Sequence, residues 1–175
     1  HFLLSLGFLS NWIGMMEFNL MLENKYDKFL ATVKEQNAGK DWYDIRKKMS
    51  AVPALKKAIL TFMAEDEYEE TRKLIDERIK TYDATKLKED LSLYLEHYQG
   101  KKIVFFIDEM SEALSQKKIN LLDLEGLSEA LSSLGNRVWT VGIAQQAFND
   151  VLNASGLNIH QLNKVEARFK TRIPI

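Results

Sequence analysis

The sequence predicts an α/β protein with three layers, a parallel sheet covered by helices on both faces and a long helical insertion before the central strand. Three observations carry this prediction. Ile103-Val104-Phe105-Phe106-Ile107 is a short run of β-branched and aromatic residues that starts after Gly100 and ends in Asp108-Glu109; its brevity and composition favour a strand buried on both faces. A second run of this kind, Arg137 to Ala144, follows a leucine-striped helix. Helices alternating with short buried strands make a parallel sheet. From about 24 to 99 the chain is helical throughout, and so long a connection is an inserted helical subdomain rather than a loop.

The 175 residues suit one domain spanning 1–175. Hydrophobic residues make up 46% and charged residues 28%, an ordinary globular balance. A formal net charge of −1 gives no general attraction to nucleic acid or anionic membrane. The absence of cysteine excludes disulfides, thiolate zinc sites and thiol nucleophiles, and is compatible with a cytoplasmic location. His1, His97 and His160 lie too far apart in sequence to show metal-ligand spacing. The apolar opening, Phe2 to Leu9, lacks the basic flank and cleavage site of a secretory signal. Ser10, Asn11, Glu17 and Asn19 interrupt the stretch to Leu22, which argues against a membrane span.

Taken in order, residues 2–12 read as a mostly buried helix. Met16, Phe18, Leu20 and Leu22 alternate with Glu17 and Asn19, a period of two that predicts a strand over 16–21, with helix as the competing assignment. Lys25 to Glu35 is a helix with Tyr26, Phe29, Leu30 and Val33 on its apolar face, broken by Asn37-Ala38-Gly39-Lys40. Asp41 caps a short helix through Met49. Ser50 and Pro53 start another, whose inward residues are Leu55, Ile59, Leu60 and Met63. The acidic run Glu65 to Glu70 precedes Arg72, Lys73, Arg78 and Lys80, an order that suits a helix dipole. It is a solvated surface in preference to an acidic partner face, with Ile75, Ile79 and Tyr82 turned inward. Asp83 caps the next helix, striped by Leu87, Leu91, Tyr94, Leu95 and Tyr98 and ended by Gln99-Gly100.

Beyond the central strand, Met110 to Gln116 begins a helix. A further helix over 121–134 turns Leu124, Leu127, Leu131 and Leu134 inward and stops at Gly135-Asn136. After the strand ending at Ala144, a helix from Gln145 runs to about Leu152, and another spans Leu157 to Ala167. The alternation of Thr171, Ile173 and Ile175 makes 169–175 a final strand.

Two carboxylates at the end of a parallel strand suit nucleotide hydrolysis, in which Asp108 holds a magnesium ion and Glu109 polarises the attacking water. Gln145, at the end of the neighbouring strand, can reach the γ-phosphate or the water. Arg168 can present its guanidinium to a nucleotide on a neighbouring subunit, with Arg172 as the second candidate. Each residue has a plainer role open to it. Asp108-Glu109 can simply be favourable acids at a helix start, Gln145 a helix cap, and Arg168 a surface partner of Glu166.

The segments Ile103–Glu109, Val138–Gln146 and Arg168–Ile173 resemble the Walker B, sensor 1 and arginine-finger segments of AAA+ ATPases. The long helical insert, the Val141-Gly142-Ile143-Ala144-Gln145-Gln146 stretch and the Ala167-Arg168-Phe169-Lys170-Thr171-Arg172-Ile173 stretch resemble the large P-loop proteins of BREX phage-defence systems. The likeness covers residues 100–175 well and the first hundred poorly. It implies a P-loop NTPase-like three-layer sheet, ATP and magnesium as ligands, self-association with nucleotide at subunit junctions, and work on or near DNA with partner proteins. No G-x-x-x-x-G-K-S/T phosphate loop occurs in the sequence; Ala38-Gly39-Lys40-Asp41 lacks the second glycine and the hydroxyl. The resemblance therefore implies a chain that starts just after the Walker A lysine and hydroxyl and stops before the usual helical lid. The alternative is a catalytically inactive scaffold or regulatory interaction domain built on the same sheet.

Overall fold

The computed structural model describes residues 2–108 and 121–143. These form eight α-helices and a single two-stranded parallel sheet, which overturns the expected three-layer parallel sheet. The described residues fall into two compact units, one within His1–Tyr82 and the other within Asp83–Ile175.

The first unit is wholly helical. Helix α1 (Phe2–Ser5) stops at Gly7, whose φ of +82° lets the Phe8 and Gly7 amides return to the carbonyls of Leu3 and Leu4. The single helix expected over 2–12 is thus broken. A new helix, α2 (Trp12–Leu22), starts at Asn11, whose side chain accepts from the amides of Ile13 at 3.0 Å and Gly14 at 3.3 Å. The strand expected over 16–21 lies inside this helix. Every residue from Ile13 to Phe18 is buried, so the polar–apolar contrast that reveals helical period is missing there. Glu17, taken as the outward half of an alternation, is fully buried.

Helix α3 (Tyr26–Gln36) follows the predicted span and buries Phe29 and Val33. Helix α4 (Trp42–Ile45) is shorter than expected and leaves Met49 wholly exposed. Asp41 gives it no side-chain cap and pairs instead with Lys34 at 3.1 Å. Helix α5 (Ala51–Ile59) carries Pro53 in its first turn and buries Leu55 and Ile59 as its pattern requires. Helix α6 (Glu65–Lys80) starts in the acidic run. Two of those acids, Glu65 and Glu69, hold Lys56 of α5 at 3.0 and 2.6 Å. The hydrogen bonds to Glu69 and then Glu65 push the Lys56 ammonium up from its ordinary pKa. Ile75 points inward as expected, whereas Ile79 and Tyr82 are exposed.

α2 packs on α1, α3 and α6, and α3 also packs on α4 and α5. Trp42, Phe18, Phe29, Met16 and Leu55 are almost inaccessible at this core. Each such side chain stabilises the fold by roughly 1.5–3 kcal/mol relative to exposure.

In the second unit, helix α7 (Ala84–His97) begins at Asp83, whose carboxylate accepts from the Lys86 amide at 2.9 Å, and it buries Leu91 and Leu95. Strand β1 (Ile103–Ile107) follows the turn at Gly100, where φ is +85°. Helix α8 (Leu121–Ser132) buries Leu124 and Leu131 and packs on α7 and on strand β2 (Val138–Gly142). β1 and β2 pair in parallel, Ile103 opposite Val138 through Ile107 opposite Gly142. The strand at 103–107 is not buried on both faces as expected. Val104 and Phe106 are 48% and 69% exposed, and their partners Trp139 and Val141 are 57% and 40% exposed, so one face of the pair is open and apolar. The helices expected over 110–116, 145–152 and 157–167 and the strand over 169–175 lie outside the described residues. Among the described residues, no helix is long and apolar enough to cross a membrane.

Candidate functional site

The parallel pairing of β1 and β2 defines a carboxyl-terminal edge. Ile143 donates its amide to the Ile107 carbonyl at 2.8 Å, one step beyond the paired strands. Asp108 follows Ile107 directly, sits in a turn and is exposed. The strand leading to Asp108 and the strand leading toward Gln145 are therefore neighbours, with Phe106 opposite Val141, as the sequence suggested. Glu109, Gln145, Arg168 and Arg172 lie outside the described residues.

The donor set can be weighed against a metal. Among the described residues, no group of three or more His, Cys, Asp or Glu side chains is arranged to hold an ion. A protein cage for calcium or zinc is therefore not formed by these residues. Magnesium bound with a nucleotide takes only one or two carboxylates and draws its other ligands from phosphate and water. An exposed aspartate at a strand end fits that requirement.

A second polar centre went unrecognised in the sequence. Glu17 Oε1 accepts from Tyr26 Oη at 2.8 Å, from Trp42 Nε1 at 2.8 Å and from Arg46 Nη1 at 3.3 Å. Arg46 Nη1 also donates to the Gly7 carbonyl at 2.7 Å, which ties the turn after α1 to α2, α3 and α4. Burial first, and then the Glu17 charge and a hydrogen bond with Tyr43, drive the Tyr26 hydroxyl pKa far upward, so it remains a donor. Arg46 also lies over the Tyr43 ring, 4.5 Å from its centroid. These contacts are internal to the helical core and serve architecture. The sequence signal available was an acid flanked on both sides by bulky apolar residues, Met15-Met16 before it and Phe18 after it.

His97 stands edge-on to the Tyr98 ring, with centroids 4.6 Å apart, in keeping with a packing role. The chain matches no protein-family model, and no solved structure matches it.

Proposed function

We propose that the chain is part of an ATP-hydrolysing protein of the AAA+ kind, with its chemistry at the carboxyl-terminal edge of the β1–β2 pair. The parallel register, which brings Asp108 beside Ile143, is the observation that supports this most. Ligands of parallel sheets bind beyond the carboxyl ends of their strands, where side chains from adjacent strands converge. Asp108 would hold a magnesium ion through its carboxylate, and that ion would offset the charge that develops on the phosphate. Glu109 accepts a proton from the attacking water, and Gln145 orients the γ-phosphate or the water. Arg168 supplies a guanidinium to the nucleotide of a neighbouring subunit, with Arg172 next in line.

No phosphate-cradling loop of the kind this chemistry needs occurs within the 175 residues, so the proposal requires one elsewhere in the native protein. Without such a cradle these residues alone turn ATP over poorly, because the cradle positions the nucleotide. Self-association, DNA-associated or phage-defence work and a cytoplasmic location belong to the same proposal.

ATP turnover and nucleotide retention by the native full-length protein test it. Glu109→Gln is expected to slow turnover about a hundredfold or more while nucleotide stays bound. Asp108→Ala is expected to abolish the magnesium dependence of nucleotide binding. A Glu109→Gln protein that hydrolyses at the wild-type rate removes the assignment. The missing phosphate loop also favours a second proposal, an inactive scaffold that holds partners. A native protein that binds no nucleotide at all supports that one.

A further inference from the structure

At the opposite, amino-terminal edge of the strand pair lies an open depression of about 510 Å³, lined by Glu96, Gln99, Gly100, Lys101, Lys102 and Arg137. Its charge arises from the register. Lys102 precedes Ile103 and Arg137 precedes Val138, and Ile103 pairs with Val138, so the two cations are neighbours across the parallel pair. Lys101 stands next to them, with its ammonium 5.5 Å from the centroid of the Tyr98 ring. Three cations thus face one carboxylate, that of Glu96, which accepts from Ser92 Oγ at 3.4 Å. Among the described residues, no acid forms an ion pair with Lys101, Lys102 or Arg137.

Arg137 is held in place. Its Nη2 donates to the carbonyls of Leu95 at 2.6 Å and Tyr98 at 3.1 Å, and its Nε reaches the Lys101 carbonyl at 3.4 Å. These bonds close the last turn of α7 and cancel the negative end of its dipole. They do not engage Nη1, which has no acceptor among the described residues. Closing a helix explains Arg137 but not the two lysines beside it. Like charges gathered around one depression repel one another, and an anion among them offsets that repulsion.

We propose that this depression binds a phosphate group. The fixed guanidinium edge of Arg137 would orient it, and Lys101 and Lys102 would contribute mobile point charges. Gly100 also lines the depression, with nothing within 4 Å of where its Cβ would stand. β1 is five residues long, which puts the depression roughly 17 Å from the Asp108 edge. The site is therefore independent of the proposed ATP chemistry, and either can fail without the other. The phosphate can come from a nucleic-acid backbone or from a free small phosphate, because the depression is open to solvent.

Two probes on the full chain distinguish these sources, a fluorescein-labelled oligodeoxythymidine followed by anisotropy and inorganic pyrophosphate followed by calorimetry. Lys101→Glu combined with Lys102→Glu is expected to weaken the bound probe at least about tenfold. For the oligonucleotide it should also reduce the salt slope by about 1.4, two phosphate contacts' worth. Glu96→Gln should tighten binding. Lys47→Glu with Lys48→Glu, the same charge change on exposed lysines of the first unit, should leave binding within about twofold, since it touches no phosphate contact. Binding of the oligonucleotide without competition from pyrophosphate identifies a polymer backbone. Binding of pyrophosphate, alone or by displacing the oligonucleotide, identifies a free phosphate. If neither probe binds at about 50 mM salt, where electrostatic contacts are strongest, or if both double variants weaken binding equally, the site does not exist.

Discussion

The indole Nε1 of Trp42 donates to Oε1 of Glu17 at 2.8 Å, joining α4 to α2 across 25 positions of sequence. The same oxygen also accepts from Tyr26 and Arg46, so one carboxylate on α2 organises donors from α3 and from α4 with its C-cap. Replacing it leaves the buried Trp42 indole and the half-buried Tyr26 hydroxyl without this acceptor, while Arg46 keeps the Gly7 carbonyl. Glu17→Ala is therefore expected to destabilise the first unit by about 3–5 kcal/mol, the usual cost of removing one partner from a buried charged cluster. Glu17→Gln, which keeps an acceptor oxygen but no charge, should cost less. Urea unfolding followed by Trp fluorescence measures both. A loss below about 1 kcal/mol for Glu17→Ala, the worth of one ordinary hydrogen bond, would mean that the cluster contributes little.

Two helical glycines predict opposite signs for one substitution. A Cβ on Gly14 would run into the backbone of Leu9, closest to its carbonyl oxygen and 2.6 Å from its carbonyl carbon. Backbone cannot swing aside as a side-chain tip can, so Gly14→Ala should cost about 1–3 kcal/mol or more. Gly126 on α8 has nothing within 4 Å of its Cβ position. Gly126→Ala should stabilise by roughly 0.5–1 kcal/mol, because alanine loses less backbone freedom in a helix. A Gly14→Ala protein that melts no lower than wild type contradicts the packing described around Gly14, and a Gly126→Ala protein that melts lower contradicts the open space at Gly126.

What the sequence revealed depended on contrast between faces. α3, α5 and α7 were legible because Phe29 and Val33, Leu55 and Ile59, and Leu91 and Leu95 recur at helical spacing against polar neighbours. α2 was not, because Ile13 through Phe18 are all buried and Glu17 is buried with them. An apparent period of two was all that remained there. The β1–β2 pairing was legible from composition and from the helix between the strands. Its open face was not, since Val104 and Phe106 would suit a covered strand equally well. At the candidate sites, Asp108 could be read from its place after an apolar run. The cationic depression could not, because Lys102 and Arg137 meet only through the parallel register.

Acid should act on α7 through its cap. The Lys86 amide holds the Asp83 carboxyl below its ordinary pKa. A group with a depressed folded pKa stabilises above its unfolded pKa, about 3.9 for aspartate, and loses that contribution as pH falls through the folded value. Asp83→Ala should therefore melt at lower temperature than wild type at pH 7, and the difference should shrink in acid. Asp83→Asn keeps a capping oxygen and should lack that pH dependence. A gap between wild type and Asp83→Ala that stays constant down to the lowest pH would rule out the capping carboxylate as its source.

Phe106 and Trp139 stand on the open face of the sheet, 69% and 57% exposed, whereas Phe105 points to the other side and is half-buried. Parallel strands are ordinarily covered on both faces, and an apolar patch left in water favours association or binding of hydrophobic dyes. Phe106→Ser and Trp139→Ser should each change stability by no more than about 1 kcal/mol, the span of strand preferences on a half-exposed surface. Both should reduce dye binding and concentration-dependent light scattering. Phe105→Ser removes part of the packed face and should cost about 2 kcal/mol or more. Equal losses for Phe105→Ser and Phe106→Ser would show that both faces of the pair are covered in solution, since only burial makes an aromatic ring on a strand so costly to remove.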